Sequence, residues 1–214
     1  MVKKKISKRK NIDYFHRQVK NRIWFFILCE GAETEPNYFK SFPVDKKVII
    51  LDIKGKGKTH NSLVQEAIKL KEDPEEYDPE TDQIWCVFDR DKDRKNPRDK
   101  QSFNAAIEMA KKNNINIAYS NDAFELWYLL HFNYYDTAIS RKDYQDMLTN
   151  LLGHKYQKNS QTMYDELKDK QVDAMKNAKR LLKKYNPPNP EEDNPSTTVY
   201  LLVDTLNKFI PNTD

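Results

Sequence analysis

Apolar residues first come in short unbroken runs and later only at helical spacing. The runs are Ile23-Trp24-Phe25-Phe26-Ile27-Leu28-Cys29, Val48-Ile49-Ile50-Leu51-Asp52-Ile53, Ile84-Trp85-Cys86-Val87-Phe88 and Ile115 to Tyr119. Each is too short for a helix and reads as a strand buried on both faces. Between them, apolar residues recur every three or four positions. Tyr38, Phe39 and Phe42 follow Thr34, a helix-capping residue with Pro36 in the first turn behind it. Leu63, Ala67 and Leu70 predict a helix over 61–71, and Phe103, Ala106, Ile107 and Ala110 predict one over 99–113. Ser120-Asn121-Asp122 reads as a cap for a helix through Phe132. Strand and helix thus alternate four times, the signature of an α/β fold with a four-stranded parallel sheet flanked by helices. Beyond Asn133 no strand is apparent. Helices are expected over 141–152 and 160–185, and a last one from Asn194-Pro195-Ser196. The expected organisation is a basic arm over 1–22, an α/β core over 23–133, and a helical C-terminal addition over 134–214 packed on that core.

Charge changes this picture mainly at the start of the chain. The 214 residues carry a net charge of +4, yet residues 1–22 alone hold nine Lys/Arg against Asp13, so the body is mildly acidic. A basic arm on an acidic body suits contact with nucleic acid; it suits a solvated, flexible tail equally. No run approaches the roughly 18 apolar residues a membrane span needs. The basic start also has no apolar segment behind it of the kind a secretory signal requires. Cys29 and Cys86 fall in buried strands and read as inert reduced thiols, which implies a cytoplasmic protein.

The candidate chemistry lies where strands end. The third strand runs into Asp89-Arg90-Asp91-Lys92-Asp93. In open α/β sheets ligands bind at that carboxyl edge. Acids crowded there repel one another and favour a cation, and oxygen-only ligands point to Mg²⁺ or Mn²⁺; the same residues suit a solvated acidic turn balanced by Arg90, Lys92 and Arg94. A calcium loop of the EF-hand type is excluded, because Arg94 stands where Gly is needed and Lys100 where Glu is needed. Glu30 follows the first strand, with Glu33 in the same turn, and Gly31 there allows an unusual backbone turn. Glu125 opens the helix after the fourth strand. Three regions can therefore deliver carboxylates to one place: Glu30, the aspartates 89, 91 and 93, and Glu125. Lys54, Lys56 and Lys58 form a flexible basic loop suited to a phosphate, as Arg90 is, or else an ordinary solvated turn. Gly57-Lys58-Thr59 is not a nucleotide-binding P-loop, since Asp52 occupies the position of its first Gly. His131 reads as a core histidine or a further site residue. No G-x-S-x-G or dinucleotide fingerprint occurs.

Four ordered motifs resemble the RloB family and the related phage-abortive-infection protein AbiLii. They are Cys-Glu-Gly-Ala-Glu-Thr-Glu-Pro-Asn-Tyr-Phe at 29–39, Phe-Asp-Arg-Asp-Lys-Asp at 88–93, Ser-Asn-Asp-Ala-Phe-Glu-Leu-Trp-Tyr-Leu-Leu-His-Phe at 120–132 and Asn-Pro-Ser-Thr at 194–197. The resemblance implies a variant of the Toprim fold of topoisomerases, primases and OLD-type nucleases. That fold's hallmark Glu and D-x-D would be Glu30 with Asp89 and Asp91, and Asp93 would be a further acid. It also implies Mg²⁺-dependent phosphodiester chemistry, a place in phage defence, and a partner ATPase encoded nearby. The expected function is a nuclease acting on DNA or RNA. The alternative is a non-catalytic module that binds nucleic acid or a nucleotide and recruits the ATPase. Many family members carry Pro where this chain has Asp122, which adds an acid near Glu125.

Overall fold

The four apolar runs are strands: β1 (Ile23–Cys29), β2 (Ile49–Gly55), β3 (Gln83–Asp89) and β4 (Asn116–Asn121). In the computed structural model the described residues are 22–55, 57–90 and 97–211, the side chains of 97–102 excepted. Of the expected basic arm, only Arg22 lies among them. The strands run parallel in the order β2-β1-β3-β4. The sequence pattern predicts four strands; the sheet has five. Ser196–Thr197 forms β5, antiparallel to β4, with Ser120 opposite Thr197 and Asn121 opposite Ser196. Two polar residues carry no apolar signature, so the pattern misses this strand. Its pairing also explains why Ser120 and Asn121 extend β4 instead of capping a helix. The Asn121 side-chain amide donates to the Pro190 and Glu191 carbonyls, which holds it in that extension.

Helices cover both faces. They are α1 (Thr34–Lys40), α2 (His60–Lys71), α3 (Pro97–Lys112), α4 (Glu125–Leu129), α5 (Arg141–Leu152), α6 (Met163–Leu167), α7 (Gln171–Leu182) and α8 (Val199–Asn207). Three helices differ most from the sequence pattern. The helix after β4 is the five-residue α4 and stops short of Phe132. The helix expected over 160–185 is divided into α6 and α7 by a 3-10 turn at Lys168–Lys170. Buried Met163, Tyr164, Leu167, Gln171, Ala174 and Ala178 keep helical spacing straight through that turn, so periodicity cannot reveal it. The last helix starts at Val199, because 196–197 are taken by β5.

The pleat of β1 sends alternate residues into two cores. Phe26 and Leu28 join Ile84, Cys86 and Phe88 of β3 under α2 and α3. Phe25 and Ile27 join Trp85 and Val87 on the opposite face, where α1 and α4 pack together with α5, α7 and α8. The C-terminal helices therefore share one continuous core with the sheet. β1 has β2 on one side and β3 on the other, so the chain winds away from it in both directions. At such a switch point a crevice opens beyond the strands' carboxyl ends.

Candidate active site

Glu30 leaves β1 at that crevice. Its backbone N–H donates to the Val87 carbonyl of β3 at 2.8 Å, which anchors the turn. Its carboxylate faces the end of β3, where Oε2 accepts the Asp89 N–H at 3.3 Å. The same oxygen lies 3.3 Å from Nε2 of His60, the first residue of α2. Glu30 and Asp89 are thus brought together from strands that lie far apart in sequence.

Two more acids face them. Glu35 sits in the first turn of α1, and one of its oxygens accepts the Gly31 N–H at 3.3 Å. Gly31 leaves room for Glu35: a Cβ there would meet the Glu35 carboxylate and displace it. Its φ is not in the left-handed region, so the expectation of an unusual backbone turn is corrected to one of close approach. Glu125, at the start of α4 and 3% exposed, accepts from the Tyr156 hydroxyl at 3.3 Å and the Gln145 amide at 3.5 Å. The acid amid apolar neighbours therefore finds polar partners in the C-terminal region, which limits the desolvation penalty.

Burial and crowding raise the pKa of two of these acids, Asp89 and Glu35. Burial pushes Asp89 well above the usual carboxylate range; Glu35 adds repulsion, and Arg141 pulls the other way. Burial likewise lifts Glu35 from 4.5 to about 7, against the hydrogen bonds from its own N–H and from Gly31, with Glu125 and Glu30 adding repulsion. Asp89 Oδ2 meets Arg141 Nη2 at 3.3 Å, while Oδ1 is buried with no hydrogen-bond partner among the described residues. The four acids line a cleft of about 520 Å³ that also receives Lys58, Lys158 and Arg141. Arg141 is aimed by a capping box at the start of α5, where Ser140 and Asp143 bond reciprocally. The loop bearing Lys158 is tied to α1. Thr34, expected to cap α1, is instead its first residue, and its hydroxyl donates to the Lys158 carbonyl at 3.1 Å. Asn37 bonds the Asn159 carbonyl at 3.1 Å beside it.

The RloB-like protein family model matches residues 25–206, from β1 into α8. The chain belongs to the RloB-like family. No curated protein and no solved structure matches it. Every acid and cation of the cleft lies within the stretch matched to the RloB-like family.

The remaining candidates are distributed unevenly around the cleft. Asp91, Asp93 and Lys56 lie outside the described residues. Glu33 is exposed at the lip. Lys58 reaches the cleft, with Nζ 2.8 Å from Glu66. Lys54 does not line it; its ammonium is 2.9 Å from Asp52. Arg90, placed by the sequence reading at a nucleic-acid surface, is 5% exposed, with its guanidinium 3.7 Å from Glu191. His131 lies in the core against Trp127, its Nδ1–H bonded to the Trp127 carbonyl at 2.9 Å. Burial lowers its pKa to about 4, so the ring is neutral there. Both cysteines are buried, and desolvation raises their pKa values, as befits inert thiols. No described helix is long and apolar enough to cross a membrane.

Glu35, Arg141 and Lys158 of the cleft, and His60 buried behind it, are residues that sequence reasoning did not select. Among the described residues no three His, Cys, Asp or Glu side chains form a group that could hold a metal by itself. The chemistry of the donor set nonetheless fits a hard divalent cation. The donors are carboxylate oxygens, Asp89 Oδ1 is left without a partner, and mutual repulsion weakens when positive charge enters.

Proposed function

We propose that this RloB-like chain is a Mg²⁺- or Mn²⁺-dependent nuclease that hydrolyses phosphodiester bonds of DNA or RNA at a Toprim-like acid site. The observation that carries this reading is the meeting of Glu30 and Asp89 at the sheet's switch point, under a cleft rimmed by Lys58, Lys158 and Arg141. Asp89 and Glu30 would hold the ion together with Asp91 and Asp93 of the adjoining segment, and Glu125 would complete the oxygen-rich wall. The bound ion supplies charge neutralisation at the scissile phosphate and a more acidic water. Arg141 and the two lysines grip phosphate oxygens, giving affinity that falls with salt and reads little sequence. Glu30, held by the Asp89 N–H, accepts a proton from the attacking water. Glu35, whose pKa of about 7 leaves it partly protonated near neutrality, is suited to deliver one to the leaving oxygen. From the family resemblance we extend the proposal to a role in phage defence gated by a partner ATPase.

A second reading is a non-catalytic module that binds nucleic acid or a nucleotide and recruits that ATPase. It is favoured by the Arg141–Asp89 ion pair, which already neutralises one acid without a metal. Incubating the purified chain with DNA and RNA panels and Mn²⁺, with and without the ATPase, separates the two. Shortened products support the nuclease, and shortening only with the partner marks a gated one. Saturable binding with intact substrate supports the module. Products longer than the substrate would mean nucleotidyl transfer and contradict both.

A further inference from the structure

His60 connects the two strand ends that carry the acids. The ring is fully buried, packed against Phe88 and Phe103 with centroids 5.1 and 5.5 Å away. Its Nε2 lies 2.7 Å from the Asp89 backbone carbonyl. A carbonyl can only accept, so Nε2 carries the hydrogen. The same nitrogen lies 3.3 Å from Glu30 Oε2. That oxygen also accepts the Asp89 backbone N–H, so Glu30, Asp89 and His60 close a small ring of polar contacts at the crevice. Packing fixes the imidazole in turn, since aromatic rings flank it and α2 anchors its backbone.

We infer that His60 is a positioning residue: its imidazole, bonded through Nε2–H to the Asp89 carbonyl and in polar contact with the Glu30 carboxylate, holds the two strand ends in one geometry, so that both acids present their oxygens to a single divalent cation. This rests on the metal-dependent reading of the site. His60 touches neither the cation nor the substrate in this role; it acts through Glu30 and Asp89. Groups that orient metal ligands in this way matter nearly as much as the ligands, because a carboxylate free to rotate loses affinity for the ion. A purely packing role makes a different demand. Phe or Leu fills an apolar slot between Phe88 and Phe103 as well as an imidazole does, but neither donates a hydrogen bond.

The test is Mn²⁺ binding by calorimetry to the wild-type chain and to His60→Phe, His60→Gln and His60→Asn, with cleavage and thermal unfolding measured in parallel. The Gln amide nitrogen reaches close to the Nε2 position, and the shorter Asn amide does not. His60→Phe is expected to weaken Mn²⁺ binding by about 10-fold or more, and His60→Gln to recover most of that loss. Should His60→Phe not fold, the Gln and Asn variants carry the comparison, with Gln expected to bind several-fold tighter. Wild-type affinity in His60→Phe, or Gln binding no better than Asn, overturns the inference while leaving the nuclease reading intact. Mn²⁺ binding without cleavage, with the ATPase present as well as absent, contradicts the nuclease reading and leaves the positioning role standing. No Mn²⁺ binding by the wild-type chain overturns both.

Discussion

Glu35 shows how a single side chain can govern the electrostatics of the cleft. Its carboxyl titrates near 7 instead of 4.5, so the folded chain holds a proton that the unfolded chain has released. Stability contributed by this group is therefore present below pH 4.5 and is lost as pH rises through 7. Glu35→Gln keeps the shape and removes the charge. The variant is expected to match the wild type in urea unfolding at pH 4 and to exceed it at pH 8, by up to about 3 kcal/mol from a shift of this size. Gly31 is the counterpart on the backbone. Gly31→Ala would push the flexible end of Glu35 aside without moving main chain. It should lower the cleavage rate on the order of 10- to 100-fold, as misplaced catalytic groups do, while changing the melting temperature little. Neither effect is visible in the sequence. There Glu35 is one of three acids in a short turn, and Gly31 looks like a conformational glycine instead of a spacer.

At the scale of elements, unbroken apolar runs locate β1 and β3, and helical periodicity locates α5, because those patterns follow from burial on two faces or one. The same logic fails where burial is achieved without an apolar run. β5 consists of Ser196 and Thr197, and the Thr197 hydroxyl donates to the Tyr119 carbonyl and bonds the Ser120 hydroxyl across the pairing. α4 is shorter than its apolar stretch: β4 extends into what reads as its cap, and past Leu129 the backbone bonds tighten to three-residue spacing, His131 N–H to the Tyr128 carbonyl and Phe132 N–H to the Leu129 carbonyl. Glu30 and Asp89 were legible as candidates since acids at strand ends are a local signal. Arg141 was not, because only the packing of α5 brings it to Asp89. The α5 capping box is therefore part of the site. Ser140→Ala should destabilise the chain by about 1 kcal/mol. It should also weaken nucleic-acid binding at low salt, because the first turn that aims Arg141 loosens. Unfolding midpoints and a salt titration of binding check the two effects; unchanged binding would detach Arg141 from the interface.

For the whole molecule, the decisive feature is that the sheet's switch point and the C-terminal helices meet at one cleft. The sheet supplies Glu30 and Asp89, α1 supplies Glu35, and the C-terminal region supplies Arg141 and Lys158. Acids at the floor and cations at the rim suit a phosphodiester held on a divalent ion. The same arrangement makes the C-terminal region part of the candidate site as well as of the core. The most direct measurement is Mg²⁺-dependent cleavage of nucleic acid by the wild type and by the Asp89→Asn, Asp91→Asn double variant, side by side. The account predicts shortened products from the wild type and none from a variant that still folds. Equal cleavage by both would contradict it.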